Sequence, residues 1–325
     1  MKNSILAAAL LTALGLLAQA APAAAQPRDY PNKPIRLMVP FGAGSGSDIA
    51  ARFFGDQLAG VIGQPLVIEN RPGANGIIGV MAAKNAPADG YTLLLGSWTT
   101  ISVNPVVVKD LPYDPVQDFK PISGLTRSMI SIAVPGGSGI KSVADLVATA
   151  RQTGKPLNVG TYSAGFHIIL ETFNVAAGIK LVNVPYKAAG QLHTDVMGGQ
   201  IDAAMDGTTS LGPMYRSGKL RLLAASGERR DPVFADIPTF RESGYPDFLA
   251  WGWSSFFVRA ETPEEATQKL ADAMQRVLAS GTTQEFAKKN GSELMLFGPA
   301  VMRKFQVDEI GKFRRVAAAA GIKPE

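Results

Sequence analysis

Apolar residues along the chain alternate between two spacings. Residues 35–39 form a short apolar run bounded by prolines, which predicts a buried strand. Residues 49–61 place apolar side chains at helical spacing, and the pattern then predicts a strand over 66–68, a helix over 75–84 and a strand over 91–95. This alternation of strand and helix is typical of a parallel sheet with helical crossovers.

The same alternation returns in the second half of the chain. Two longer strand-like segments, 130–134 and 251–258, flank this second unit and predict a pair of crossover strands. Helices over 263–278 and 300–320 are expected to pack back on the first unit. The sequence therefore predicts an α/β protein of two lobes with a ligand cleft between them. The elements of the second unit are strands over 157–159, 181–184, 201–205 and 220–225 and helices over 166–177, 191–197 and 211–216.

Chain length supports the division into two lobes. A chain of 325 residues is longer than the roughly 250–300 residues at which a single core stops growing. The crossover segments set the predicted boundaries, with residues 26–130 plus 254–325 in lobe 1 and residues 131–253 in lobe 2.

The first 25 residues predict a signal peptide. Lys2 precedes a short apolar run over 5–17, and small residues follow it at spacings that suit a signal peptidase. The apolar run is shorter than the ~20 residues that span a bilayer. The chain has no Cys, so it needs no disulfide and has no site for a lipid anchor. We expect the mature protein to be free in the periplasm.

Composition argues against nucleic-acid binding, metal binding and catalysis. The formal net charge is +5, and the basic residues are scattered, which suits an anionic small ligand better than a nucleic acid. The two histidines, His167 and His193, are too few to supply a zinc site or a catalytic triad with ease. His193 is predicted to lie on a helix surface and His167 to form pocket wall or to pack at the start of its helix. We expect no enzyme activity, no cofactor and no metal.

A glycine-rich loop over residues 42–48 carries the predicted chemistry. It lies between a strand and a helix, where the first helical N–H groups have no internal partner and the helix dipole is positive. Such a helix start binds a carboxylate or phosphate without a basic side chain. Ser45 and Ser47 add hydroxyl groups, and Asp48 is a first-turn carboxylate or cap. A second loop rich in glycine and hydroxyl groups, 160–165, precedes the helix that His167 opens.

Three other functions compete for the first loop. A dinucleotide site needs G-x-G-x-x-G, but Ser47 or Ile49 occupies the position of the third glycine. Glu69, at the end of the second strand, resembles the acid that binds a ribose and keeps this alternative open. The lysine of a phosphate-binding P-loop and the G-x-S-x-G of a serine hydrolase are both absent from this loop.

Many short motifs in one order make the chain resemble a known family, the Bug or TctC-like extracytoplasmic solute receptors of tripartite tricarboxylate transporters. The resemblance covers nearly the whole mature chain. Its motifs are Val39-Pro40-Phe41 with the glycine loop, Asp48-Ile49-Ala50-Ala51-Arg52, Glu69-Asn70-Arg71-Pro72-Gly73-Ala74, Asp89-Gly90-Tyr91-Thr92-Leu93-Leu94, Tyr113-Asp114-Pro115, Val184-Pro185-Tyr186-Lys187, Gly199-Gln200-Ile201-Asp202 and Ile237-Pro238-Thr239-Phe240.

The resemblance implies a type II periplasmic-binding-protein fold and a small organic carboxylate held by loops of both lobes, partly through ordered water. It also implies delivery to membrane transport subunits, or in some members to a sensor, by a protein expected to be a monomer. The implied ligand-binding residues are Phe41, Gly42, Ala43, Gly44, Ser45, Gly46, Ser47, Asp48, Ser97, Thr161, Tyr162, Ser163, Ala164, Gly165, Phe166, His167, Tyr186 and Asp206.

Two departures from the family pattern bear on the ligand. Ala43-Gly44-Ser45 replaces the usual Pro-Gly-Gly of the first loop, and the second loop carries Tyr162 and Phe166. With Trp98, these rings add aromatic surface to the cleft. We expect them to favour a larger or aromatic carboxylate over a small dicarboxylate.

Overall fold

The computed structural model describes residues 30–152 and 156–324. The predicted signal peptide, residues 1–25, lies outside the described residues. The strands are β1 (Ile35–Val39), β2 (Leu66–Asn70), β3 (Thr92–Ser97), β4 (Phe119–Pro135), β5 (Asn158–Thr161), β6 (Val182–Pro185), β7 (Ala203–Gly207), β8 (Leu220–Ala225), β9 (Trp251–Arg259) and β10 (Ser292–Leu294). The α-helices are α1 (Gly46–Ile62), α2 (Ile77–Lys84), α3 (Asn104–Val107), α4 (Val143–Gln152), α5 (Ala164–Ala177), α6 (Ala189–Met197), α7 (Thr208–Arg216), α8 (Glu264–Ala279), α9 (Gly281–Asn290) and α10 (Pro299–Ala319).

One long strand, β4, belongs to both halves of the sheet. Its residues from Phe119 to Met129 pair antiparallel with β9. The strand order on this side is β2-β1-β3-β9-β4, and β10 also pairs with β4. We call these strands and their helices the first lobe. From Ile130 onward β4 pairs with β7 and β8, and β5 and β6 complete the second lobe. The predicted α/β class is confirmed, whereas the lobe boundaries at 130/131 and 253/254 stay a prediction.

Parallel pairing places the functional loops at one edge of each sheet. In the first lobe β1 lies between β2 and β3, and all three run parallel. In the second lobe β5 lies between β6 and β7, again in parallel. The loops after β1 and β5 therefore leave the carboxyl ends of their strands, where small ligands bind in open α/β sheets.

Apolar side chains from the helices fill the core of each lobe. Phe54 of α1 is fully buried, and the rings of Phe53 and Phe286 stack with centroids 3.8 Å apart. In the second lobe Phe173 of α5 contacts the rings of Phe240, Tyr245 and Phe248 edge-on. Because burial of such rings dominates core energetics, these contacts hold α1 against α9 and α5 against the segment 240–248.

The structure adds elements that the sequence pattern missed. The first half of β4, the helices α4 and α9, and the short β10 have no counterpart among the predicted elements. The helix predicted over 75–84 begins instead at Ile77, after a 3₁₀ turn over Ala74–Gly76. In that turn Ala74 and Asn75 both have positive φ angles, 47° and 54°.

Candidate ligand-binding cleft

The first loop shapes a helix start. Gly44 turns the chain with φ of 81°, a conformation that glycine adopts without steric cost. Ser45 then caps α1, because its hydroxyl accepts the Asp48 N–H at 3.2 Å and its carbonyl accepts the Ile49 N–H at 3.0 Å. The N–H of Ser47 comes before these two in the first turn and has no intrahelical partner.

Asp48 stabilises this loop from behind. Its carboxylate accepts hydrogen bonds from the Gly44 N–H at 3.1 Å, Arg52 Nε at 3.1 Å and Asn70 Nδ2 at 3.0 Å. Burial opposes ionisation of Asp48, but these hydrogen bonds outweigh it and hold the pKa of the carboxyl below its usual value. Asp48 does not line the cavity between the lobes, so in this arrangement it positions the loop.

The second loop repeats the design. Ser163 caps α5, since its hydroxyl accepts the Phe166 N–H at 3.5 Å and its carbonyl accepts the His167 N–H at 3.1 Å. Thr161, just before it, donates its hydroxyl hydrogen to Asn183 Oδ1 at 2.7 Å, which ties the loop to β6. Two serine-capped helix starts, one from each lobe, thus face the same cleft.

The lobes touch directly across this cleft. The Ser210 hydroxyl of the second lobe donates to the Gly44 carbonyl of the first at 3.1 Å. The hydroxyls of Thr99 and Ser163 lie 3.2 Å apart, and further contacts join Thr209 and Arg216 to the end of α9. The structure is therefore that of a closed clamshell.

A cavity of about 70 Å³ remains between the lobes. The lining residues are Phe41, Gly46, Ser47, Ile49, Ala50, Ser97, Trp98, Thr99, Thr126, Ser128, Ile130, Tyr162, Ser163, Phe166, Asp206, Gly207, Thr209, Gly252, Trp253, Ser254, Phe286 and Ser292.

Aromatic rings form one wall of the cavity. Tyr162 contacts Phe41 edge-on with centroids 6.0 Å apart, and Phe166 lies 5.0 Å from Tyr162. Phe166 also packs edge-on against Trp98 at 5.3 Å. Phe41 and Trp98 belong to the first lobe and the other two rings to the second, so this wall spans the cleft.

The charged side chain of the cavity wall, among the described residues, is Asp206. Its fully buried carboxylate accepts the Tyr162 hydroxyl at 2.9 Å and the Gly207 N–H at 2.6 Å, and it lies 2.7 Å from His193 Nε2. Burial, and then the charge of Asp206, raise the pKa of Tyr162 well above its usual value. The Tyr162 hydroxyl therefore keeps its proton and donates a hydrogen bond to Asp206.

His193 corrects the sequence analysis. It was predicted to lie on a helix surface, but it is 7% exposed and pairs with Asp206. The polar neighbours Gln191 and Thr194 suggested a solvated helix face, whereas the buried side of α6 carries the histidine toward β7. The pairing partner lies thirteen residues away in sequence, and only the fold brings the two together.

The predicted site residues divide into two groups. The cavity wall contains Phe41, Gly46, Ser47, Ser97, Tyr162, Ser163, Phe166 and Asp206. The wall does not contain Gly42, Ala43, Gly44, Ser45, Asp48, Thr161, Ala164, Gly165, His167 or Tyr186.

Two of the predicted contacts, His167 and Tyr186, have partners outside the cavity wall. The His167 side chain is 48% exposed and lies 3.5 Å from Glu171 on the next turn of α5. The Tyr186 hydroxyl donates to Asp195 at 2.9 Å. Wall residues on β4 and β9 were not predicted, although two of them, Trp253 and Ser254, lie in the strand predicted over 251–258.

Neither a metal site nor a membrane span is present in the part of the chain that the structure describes. Over residues 30–152 and 156–324, no three His, Asp or Glu side chains come together as metal ligands would. None of the helices in the same residues combines the length and the apolar character that crossing a bilayer requires.

Sequence comparison matches the chain to one family model and to relatives over nearly their whole length. The model of the tripartite tricarboxylate transporter family receptor matches residues 50–322. A UPF0065 protein of Bordetella bronchiseptica is 34% identical over 98% of this chain and 95% of its own length. Protein BugT of Bordetella pertussis is 30% identical over 90% of this chain and 91% of its own.

Solved structures agree with the sequence relatives. The periplasmic binding protein BugD is 27% identical with a TM-score of 0.87 and covers 91% of this chain and all of its own. An R. palustris protein with adipate is 30% identical, with a TM-score of 0.88 over 91% of this chain and 100% of its own. MatC from Rhodopseudomonas palustris, with bound malate, is 26% identical with a TM-score of 0.83 over 88% of this chain and 99% of its own. The two-lobe periplasmic-binding-protein fold predicted from the sequence is confirmed.

Proposed function

Because the chain belongs to the tripartite tricarboxylate transporter receptor family, we propose that it captures a small organic carboxylate between its lobes and delivers it to membrane transport subunits. The observation that carries this proposal is the pair of serine-capped helix starts, α1 and α5, that face one cavity from opposite lobes. Its relatives are periplasmic receptors for solutes, not enzymes, and the proposal gives no residue a catalytic role.

The cavity supplies partners for an anion without a basic side chain. Neither Lys nor Arg lines it in the described part of the chain. The Ser47 N–H at the positive end of α1 is the proposed donor to a carboxylate oxygen. Hydroxyl groups of Ser47, Ser97, Ser163 and Ser254 surround the same space and can donate to the ligand directly or through water.

The proposed binding residues are those predicted residues that also line the cavity. Gly42, Gly44, Ser45 and Asp48 act through loop shape, since their contacts are within the loop, with Arg52 and Asn70 of the same lobe, or with the opposite lobe. The proposed contacts are Phe41, Gly46, Ser47, Ser97, Tyr162, Ser163, Phe166 and Asp206.

The ligand class follows from the polar and the aromatic parts of the cavity wall. One relative binds adipate and another malate, so carboxylates of different length suit this fold. Here the rings of Phe41, Trp98, Tyr162 and Phe166 offer apolar surface beside the polar helix start. We propose a carboxylate with a long or aromatic body, whose anionic end meets α1 and whose apolar body packs on these rings.

A ligand screen tests the proposal. The mature protein is heated with malate, adipate, citrate or benzoate, and with NAD⁺ as the control for a dinucleotide-binding protein. A ligand that binds the native state alone stabilises it by ~2.7 kcal/mol at a hundredfold excess over its dissociation constant. A rise in Tm with adipate or benzoate supports the proposal. A rise with NAD⁺ and none with any acid would overturn it.

Phe166→Leu tests the aromatic wall by removing a ring while keeping apolar volume. If the wall selects the ligand body, the variant loses more affinity for benzoate than for malate in calorimetric titrations. Phe305→Leu is the matched control, because Phe305 is a partly buried ring outside the cavity wall. Equal losses for both acids would contradict the aromatic part of the proposal.

Delivery of the ligand to a transporter and the monomeric state of the protein are separate parts of the proposal. Uptake of the bound acid by cells with and without the gene distinguishes delivery to a transporter from delivery to a sensor. Light scattering of the purified chain tests the proposed monomer, and the signal peptide of residues 1–25 is tested by sequencing the N-terminus of the exported protein.

A further inference from the structure

We propose that Asn75 is a positioning residue that caps helix α5 from the opposite lobe and so prolongs the closed state around a ligand. This inference rests on the proposed binding function. It also predicts how often the lobes meet when no ligand is bound, which can be measured separately.

The contact joins the two lobes at the helix start. The Ala164 N–H, the first of α5, donates to Asn75 Oδ1 at 3.0 Å. The hydroxyl and carbonyl of Ser163 already accept from Phe166 and His167. Asn75 therefore supplies a partner that the loop of α5 does not supply for its own first N–H, one of the four without an intrahelical acceptor.

The backbone around Asn75 is held in an unusual conformation. Gly73, Ala74, Asn75 and Gly76 all have positive φ angles, of 122°, 47°, 54° and 85°. Two of the four are not glycine, and asparagine is among the few other residues that tolerate the left-handed region. Such a conformation is unfavourable in isolation and persists only where its surroundings enforce it.

Buried contacts of the first lobe enforce this conformation. The carbonyl of Asn75 accepts Asn104 Nδ2 at 3.0 Å, and Asn104 Nδ2 also donates to the Tyr113 hydroxyl at 3.0 Å. That hydroxyl donates in turn to the Thr100 carbonyl at 2.6 Å. The side chain of Asn75 is thus presented toward the second lobe from a fixed base.

Exposure separates this contact from the folding of either lobe. Asn75 is exposed at the rim of the cleft, whereas Asn104 and Tyr113 behind it are buried. When the lobes part, water can replace the bond to Ala164 at little cost, so the bond contributes to closure and not to the stability of one lobe.

A reciprocal contact exists at the other helix start. In the loop that leads into α1, the Gly44 carbonyl accepts the hydroxyl of Ser210, which comes from the second lobe, at 3.1 Å. Each helix start therefore has a serine from its own lobe and a side chain from the opposite one. Both cross-lobe contacts exist only when the lobes meet, and they shift the population toward the closed state before ligand atoms contribute.

Dissociation kinetics test the role of Asn75. Asn75→Gly removes the acceptor and keeps the positive φ, whereas Asn75→Asp keeps an acceptor. Ala74→Gly is the matched control, because it loosens the same turn without removing the cap. For adipate, or whichever acid of the screen binds more tightly, Asn75→Gly should raise the dissociation rate about threefold to tenfold. Association and the Tm without ligand should stay near wild type, and Asn75→Asp should restore slow release.

Spin-label distances test the same contact with and without ligand. The chain has no Cys, so Asp56→Cys on α1 and Gln191→Cys on α6, both exposed, give one labelled pair across the cleft. Asn75→Gly should raise the fraction of long distances relative to Ala74→Gly. Equal distance distributions in the two variants, with and without acid, would overturn the inference. If no acid binds at all, the proposed function fails, and these distances still decide the role of Asn75.

Discussion

Gly165→Ala should uncouple ligand affinity from folding stability. Gly165 is the second residue of α5, and a Cβ placed there would lie 2.4 Å from Thr99 Oγ1 and 2.8 Å from the Trp98 ring. Both neighbours belong to the first lobe. The Trp98 ring is packed against Phe166 and Phe313, which restricts its movement. The new methyl group therefore keeps the lobes apart, by roughly 1 Å if ordinary van der Waals contact is to be restored.

The size of the effect follows from the bonds that this separation breaks. The hydroxyls of Thr99 and Ser163 are 3.2 Å apart and the Asn75–Ala164 bond is 3.0 Å long, so neither survives a further separation of about 1 Å. At about 0.5–1.5 kcal/mol for each bond, the closed state loses about 1–3 kcal/mol, equivalent to a loss of about fivefold to 150-fold in affinity.

Folding stability should move in the opposite direction. Alanine is favoured over glycine in a helix by about 0.5–1 kcal/mol, and the clash vanishes when the lobes are apart. The Tm of the variant without ligand should therefore equal or exceed that of the wild type.

Intrinsic fluorescence provides the assay. Trp98 and Trp253 line the cavity, and the chain has three tryptophans in all. The tightest-binding acid of the screen is titrated into the wild type, Gly165→Ala and Gly60→Ala. The last variant is the control, because Gly60 is also helical and a Cβ there meets no atom within 4 Å. The reasoning would be refuted if Gly165→Ala bound the acid within twofold of the wild type.

Three further substitutions test the supports of the cleft. Asp48→Asn should lower the free energy of unfolding by about 1–3 kcal/mol at pH 7. The pKa of Asp48 is lowered in the folded state, so the stability that its carboxylate contributes is complete above the ordinary pKa of 3.8 and is lost as pH falls through the folded pKa. Urea unfolding at pH 7 and in acid should therefore show a smaller stability difference between variant and wild type in acid. A difference that is the same at both pH values would contradict this role of the carboxylate. Tyr162→Phe removes a donor from buried Asp206 and should cost about 1–3 kcal/mol in urea unfolding and weaken binding, whereas an unchanged variant would show that water replaces the hydroxyl. Phe54→Ala empties a fully buried site and should cost about 3–5 kcal/mol without changing ligand selectivity, and a changed ranking of acids would count against separate core and site roles.

Local sequence signals were sufficient for the first helix start. The apolar run of β1, the glycines after it and the capping hydroxyl of Ser45 act within a few residues of one another, and the structure has β1 and α1 where the pattern predicts them. The first half of β4 was missed because Pro121, Gly124 and several hydroxyl residues interrupt any apolar alternation. It is a strand because β9 pairs along it, a contact that local pattern does not contain.

At the site, too, contacts between distant segments could not be predicted from local sequence pattern. Tyr162 and Phe166 were predicted as cleft residues because they lie in the second loop, and their rings do line the cavity. The partner of Asp206 and the role of Asn75 were not predicted. His193 meets its carboxylate through the packing of α6 on β7, and Asn75 acts through a left-handed turn and a neighbour from the other lobe. Both depend on contacts between distant segments.

The position of β9 has a consequence for the order in which the chain can fold. β9 lies between β3 and β4 at the centre of the first lobe, yet it spans Trp251–Arg259, after every strand of the second lobe. A chain that emerges from its amino end therefore cannot complete its first sheet until most of its length is available. Pairing over such separations is slow, and the apolar edges of β3 and β4 stay open meanwhile. Exposed apolar surface and unpaired strand edges make such an incomplete chain prone to aggregate until β9 pairs.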